Sequence, residues 1–407
     1  MIRSRALLAA TVVLVLPRLA PAQVSASDSV SAVVDRVFAP MARNDGPGCA
    51  VGVYRNGQVA FAKGYGLANL EYNTPITPST PFIVGSVSKQ FTAAAITLLA
   101  EQGKLSFDDD VRKYIPELPD YGKKVTIGHM VHHTSGLRDW WELVGLSGLR
   151  YDDGYSSDDV FAMTVRQKGL NFTPGERYMY SNTGYVMLGV VVKRVTGKSL
   201  REFTDEAFFR PLGMTHTHFH DDHTMLVKNR TSAYQPRTGG GYRVSIPVFD
   251  TYGATSLFTT AEDLLRWEQN FADARVGGPA LLARMQEPGK LLNGESIGYA
   301  LGLTIGTRRG VREVGHGGAD AGYRADVVRY PDQQLAVAAL CNVSDANPGA
   351  LTRRVADLYL GNALSPAPVA RQAGTVTLTP AQLALNAGLY RRAEQASYFG
   401  WKSAMES

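Results

Sequence analysis

Cysteine is scarce in this 407-residue chain: Cys49 and Cys341 are the only two. Two cysteines cannot build a disulfide framework, and neither sits in a C-x-x-C pair, so a small disulfide scaffold and a Cys-rich metal site are both excluded. Each lies in an apolar, strand-like run that suits a buried small side chain. In an exported chain they form one disulfide only if their strands are neighbours. Long apolar runs are lacking too. After residue 16 no uncharged stretch is long enough for a helical membrane span. A basic stripe is also absent. The formal charge of +5 falls to about +2 once Arg3, Arg5 and Arg18 of the first 22 residues are set aside, so no nucleic-acid partner is expected. No internal repeat is present.

What is there begins with a leader. Arg3 and Arg5 precede an apolar run over residues 6–16, and Ala20-Pro21-Ala22 is an A-x-A cleavage site. Residues 1–22 therefore read as a signal peptide, and the mature chain as periplasmic or secreted, with no integral membrane segment after cleavage. Composition shifts again after about Asn362. Residues 363–382, rich in Ala, Pro and Thr, read as a linker, and residues 383–407 are too short to fold alone.

The segment between, 23–362, predicts an α+β domain. "AVGVYRNGQVAFAK" (50–63) places two strand-like runs around Asn56-Gly57, a strong hairpin signal. "YALGLTIG" and "YRADVVRYPDQQLAVAALCN" (323–342) supply further strands near the far end. Between them the pattern turns helical. Val87, Phe91, Ala94, Ala95, Leu98 and Leu99 follow the helical period over 87–102, with Gly103 as a terminator. Thr260 precedes acidic residues where a helix cap belongs. An antiparallel sheet made from both chain termini and flanked by helices follows from this layout.

Three short motifs carry chemistry. Ser86 and Lys89 share one face of a helical first turn, which brings an ammonium to a hydroxyl that is a poor nucleophile until a base takes its proton. Alone, S-x-x-K is equally a helix-capping serine beside a solvated lysine. Tyr180-Ser181-Asn182 offers a phenol that can act as a base beside cations, and an amide that can donate and accept. The same residues suit a core tyrosine and a capping asparagine. His316-Gly317-Gly318 offers a strand edge that a substrate backbone can approach closely, or a tight turn with a satisfied histidine.

Together, in this order, the motifs resemble the serine β-lactamase and penicillin-binding-protein superfamily, in particular its class C-like branch of esterases, D-aminopeptidases and D,D-carboxypeptidase homologues. The likeness extends through "TPFIVGSVSKQFTAAAITLLAEQGKLSFDDDV", "VTIGHMVHHTSGL", "LFTTAEDLLRW" and "VGHGGADAGYRADVVRYPD" and covers roughly residues 28–362. It implies a β-lactamase/transpeptidase-like fold with an all-helical subdomain. It also implies roles: Ser86 as the acylated nucleophile, Lys89 as the group that shares its proton, Tyr180 as the base, and Asn182 orienting the acyl side. The N–H groups of Ser86 and Ala319 would form the oxyanion hole. No cofactor is implied.

Departures from the family pattern bear on substrate. β-Lactam-specialised members begin the third motif with lysine; here it is His316, neutral near pH 7, which argues against strong β-lactamase activity. The glycine pair usual before "LFTTAEDL" is Thr255-Ser256. "LTPAQLALNAGLYRR" (378–392) looks like the opening of the lipocalin-like barrel that many relatives carry, of which 383–407 would be an incomplete remnant. Trp140 and Trp141, with Tyr151 and Tyr155, either wall an acyl pocket or pack a surface loop on itself.

One stretch competes. "HTHFHDDH" contains His218-x-His220-x-Asp222-His223, the H-x-H-x-D-H spacing of binuclear zinc hydrolases. Such a site needs two further histidines and a bridging carboxylate from later segments, and after His223 only His316 remains. His129, His132 and His133 lie where the family likeness places a structural helix and turn. The stretch is expected to be a solvated surface loop, with no catalytic metal. The sequence thus predicts an exported serine hydrolase of small ester, amide or peptide substrates, with a carboxylesterase of short to medium acyl chains leading. A D-amino-acid peptidase or amidase is the alternative. β-Lactamase, a non-catalytic binding module and a zinc hydrolase come behind. Loops 138–172 and 216–256 hold the substrate choice, and the oligomeric state is left open.

Overall fold

The computed structural model describes residues 29–366, apart from 152, and residues 379–385. The leader over 1–22, most of the 363–382 linker and nearly all of 383–407 lie outside the described residues.

Six antiparallel strands form the main sheet, labelled here in chain order: β1 Cys49–Arg55, β2 Gln58–Tyr65, β3 Thr304–Arg308, β4 Val311–Asp320, β5 Tyr323–Tyr330 and β6 Leu335–Cys341. Across the sheet they run β3-β4-β5-β6-β1-β2, so the N-terminal hairpin joins the C-terminal strands where β1 meets β6. Asn56 and Gly57 both take positive φ, as a two-residue hairpin turn requires. Cys49 lies opposite Cys341 in the β1–β6 register, and the two form a buried disulfide. The "YALGLTIG" run becomes a strand only from Thr304, because Ala300 N–H closes a tight turn onto Leu303 O at 2.7 Å. His316-Gly317-Gly318 lies within β4 rather than in a turn ahead of the strands.

Each face of the sheet is covered. Helices α1 (Val30–Phe38) and α6 (Pro348–Leu360) close one side with Val34, Phe38 and Val355 against Val51, Val328 and Val337. Helix α5 (Ala261–Asp273) packs on the other, its first turn capped by Thr260, which accepts the Asp263 N–H at 3.0 Å. It approaches β1 closely at Gly52, where a Cβ would lie 2.9 Å from Leu265 Cδ1.

The helical part centres on α2 (Lys89–Glu101) and α4 (Asn182–Thr196), which pack together. Around α4 stand α3 (Trp140–Leu146) and the helices Ile127–Val131, Ser157–Val165 and Leu200–Thr204. The helix expected over 87–102 starts two residues later. Gly85–Ser88 is a 3₁₀ turn, held by Ser88 Oγ donating to Gly85 O at 2.6 Å. Gly103, at φ +67°, follows the end of α2 as expected. Among the described residues no helix is long and apolar enough to cross a membrane.

Candidate active site

The 3₁₀ turn decides how Ser86 meets Lys89. With three residues per turn, side chains three apart eclipse one another, closer than on an α-helix. Lys89 Nζ accordingly lies 3.1 Å from Ser86 Oγ. The lysine is fully buried. Its other contacts are Asn182 Oδ1 at 2.9 Å and the carbonyl of Ala254 at 2.8 Å, so a protonated Nζ has an acceptor for each of its three hydrogens. The ammonium also sits 4.7 Å from the ring centroid of Tyr180 and 5.5 Å from that of Tyr185. Burial pushes Lys89 down to about 7, against the pull of the Asp139 and Asp320 carboxylates.

Asn182 opens α4, but the cap is its neighbour Ser181, which accepts the Gly184 N–H. The Asn182 side chain is thereby free to turn toward Lys89. Tyr180 is half-buried, and His133 packs against it with ring centroids 4.2 Å apart. His133 takes the left-handed region at φ +59°; its Nδ1 accepts the Ser181 N–H at 3.1 Å, and its carbonyl accepts the Met179 N–H. Burial, then Lys89 and His316, hold it neutral. The sequence reading treated His133 as part of a structural turn. It does shape a turn, but one that props the second motif from behind.

Strand β4 closes the site. A Cβ on Gly318 would lie 1.9 Å from Val84 O and 3.1 Å from Ser86 N. Gly85, at φ +53°, faces back; a Cβ there would lie 2.7 Å from Ala319 N. The backbone nitrogens of Ser86 and Ala319 thus meet across a gap that only glycines permit. Gly317 differs: it is exposed, and the nearest atom to its added Cβ is 3.7 Å away. Pairing of β3 with β4 stops at Gly315, so residues 316–320 extend beyond that neighbour.

His316 is corrected as a substrate contact. It is 7% exposed, and both ring nitrogens are engaged. Nδ1 donates to Gly317 O at 2.5 Å, which leaves Nε2 to accept from Tyr299 Oη at 3.1 Å. Burial and Lys89 push it down to about 4, so the ring is neutral and offers a substrate neither charge nor a spare donor. Trp140 is likewise corrected: at 1% exposure it lies in the core, stacked on Trp141 at 4.3 Å. Trp141, partly exposed, with Tyr151 and Phe249 around it, keeps an aromatic surface.

Two buried carboxylates were not picked out from the sequence. Asp320 follows the third motif, accepts from Thr255 Oγ1, and is pushed up to about 6 by burial. Asp139 accepts from the N–H of Asn182 and, at 2.9 Å, from that of Trp141. No spacing rule flags either. The one available signal was an Asp directly before the apolar Trp140-Trp141 run, a helix N-cap pattern. Thr255-Ser256, noted as a departure, proves structural: Ser256 takes φ +67°, a region that favours glycine, and its carbonyl accepts the His220 N–H.

The histidine stretch is only in part a solvated loop: His216, Asp222 and His223 are exposed. His218–Phe219 is a strand paired with Leu257–Thr259, and His220 is buried with its ring 4.9 Å from that of Phe258. Among the described residues the one set of three groups placed to share a cation is Asp222, His223 and Asp250, with His223 Nδ1 already 2.9 Å from Asp250.

Comparison with known proteins fits this geometry. A family model described as Beta-lactamase matches residues 33–361. The chain belongs to the beta-lactamase family. It is 29% identical to a D-aminopeptidase of Gluconobacter oxydans over 317 residues, 78% of this chain and 60% of that protein. The chain therefore spans less than two thirds of that relative's length. Among solved structures, the octameric penicillin-binding protein homologue of Pyrococcus abyssi superposes with a TM-score of 0.72 at 27% identity, covering 82% of this chain and 77% of that one. A D-stereospecific amidohydrolase of Streptomyces shares the fold at a TM-score of 0.63 and 22% identity, covering 82% and 99%.

Proposed function

We propose that this beta-lactamase-family chain is an exported serine hydrolase that cleaves amides of D-amino acids or D-peptides through an acyl-enzyme on Ser86. The observation that carries it is the buried Lys89 ammonium 3.1 Å from the Ser86 hydroxyl, with a pKa brought to about 7. Near neutral pH the Lys89–Tyr180 pair takes the Ser86 proton as Oγ attacks the substrate carbonyl carbon. The carbonyl oxygen, now negative, is held by the N–H groups of Ser86 and Ala319. Collapse expels the amine, which carries off the proton from the pair. Water then attacks the Ser86 ester, gives its proton to the pair, and Ser86 recovers its own on leaving.

The amide reading draws on the D-aminopeptidase relative and on a neutral His316, which offers no cation to a β-lactam carboxylate. The carboxylesterase reading is second, supported by the aromatic surface at Trp141 and Tyr151. Export is supported by the leader pattern of residues 1–22 and by the buried Cys49–Cys341 disulfide, which suits an oxidising compartment. The test is hydrolysis of D-alanine p-nitroanilide, its L-isomer and p-nitrophenyl butyrate by the purified protein. Cleavage of the D-amide in preference to the L-amide supports the proposal. Cleavage of the ester alone makes the protein a carboxylesterase, and cleavage of none overturns the hydrolase reading.

A further inference from the structure

Asp139 has a position that no motif assigns. It lies between the two helices that open at the site. One carboxylate oxygen accepts the Trp141 N–H and caps α3; the other accepts the N–H of Asn182, the first residue of α4. Next to these contacts, Trp140 N–H donates to Thr183 Oγ1 at 2.9 Å, so the two helix starts are joined twice. Asp139 is 4% exposed. A carboxylate that deep in a protein needs partners or a counter-charge. Its partners are the two N–H groups, and its counter-charge is Lys89, which the Asn182 side chain holds at 2.9 Å.

We propose that Asp139 is a positioning residue of this site: by holding the backbone of Asn182 it fixes the amide that holds Lys89, and its charge balances the buried ammonium. The inference rests on Ser86 and Lys89 acting as described above. Several charged and titratable groups face Lys89 from the elements around it. Asp139 comes from the α3 side and Asp320 from the end of β4. His133, Tyr180 and Tyr185 come from the helical side, and His316 from β4. The two carboxylates are the only ones of these that set a negative charge against the lysine, and of the two only Asp139 touches Asn182.

Asp139→Asn tests this. Asparagine keeps one acceptor oxygen, enough to cap α3, while its amide nitrogen cannot accept a second N–H, so the variant removes the charge and one of the two backbone links. Without the carboxylate charge Lys89 loses its proton more readily, so the acid limb of the kcat/KM–pH profile is expected to move down by about one pH unit. kcat is expected to fall, with KM little changed. Thr183→Val is the control: it removes the neighbouring Trp140 link but no charge, and should lower thermal stability while leaving the acid limb in place. If Asp139→Asn does not fold, Asp139→Ser, which keeps a cap acceptor in less space, carries the same expectation. An acid limb that stays in place in the folded Asp139 variant overturns the inference. Turnover that survives Ser86→Ala would instead overturn the reading beneath it.

Discussion

Asn182 accepts a hydrogen bond from Lys89 at 2.9 Å, so the asparagine of the second motif serves the lysine of the first. A residue that only oriented substrate would affect KM when removed. Asn182→Ala removes one of the three acceptors of the buried ammonium, and a hydrogen bond to a charged group is worth enough that kcat/KM should fall about 10- to 100-fold. Steady-state kinetics should place most of that loss in kcat.

The pH dependence has a definite sign. Burial lowers Lys89 to about 7, so the neutral form that can take the Ser86 proton exists above that pH and is lost below it. A profile of kcat/KM should rise about tenfold per pH unit on the acid side and level off near neutrality. An acid limb at the pH of an ordinary carboxylate would show that Lys89 is not the controlling group.

The two glycines of the third motif should behave differently. Gly318→Ala puts a methyl 1.9 Å from Val84 O and must part β4 from the Ser86 turn. If the protein folds, loss of oxyanion geometry should cost about 10²–10³-fold in kcat. Gly317→Ala meets nothing closer than 3.7 Å and should leave thermal stability near wild type. Any fall in its activity would then report contact with substrate. Melting curves and kinetics on both variants separate these outcomes.

Much of this site was legible because it rests on local rules. The Asn56-Gly57 hairpin, the Thr260 cap and the Ser86–Lys89 spacing each depend on a few adjacent residues, and all appear in the structure. What escaped depends on chain segments meeting in space. Asp139 and Asp320 matter because they are buried against Lys89, 50 and 231 residues away in sequence. His316 reads as an available imidazole until Tyr299 and Gly317 O occupy both nitrogens. The "HTHFHDDH" stretch looked solvated because its polar letters hide a strand that pairs with Leu257–Thr259 and buries His220.

The disulfide joins the first strand of the sheet to the last, 292 residues apart in sequence. Replacing both cysteines by alanine should lower unfolding stability by about 2–4 kcal/mol, read from denaturant melts. Activity of the folded protein should be little changed, since both cysteines sit in the β1–β6 pair and make no contact with Ser86 or Lys89.

The central claim, that Ser86 is the nucleophile and no metal takes part, is tested most directly by one assay. Hydrolysis of D-alanine p-nitroanilide by wild type and Ser86→Ala is measured with EDTA present. The account predicts turnover by the wild type that EDTA leaves intact and that Ser86→Ala abolishes. Turnover that survives Ser86→Ala but disappears with EDTA would contradict it and place the chemistry at the histidine stretch.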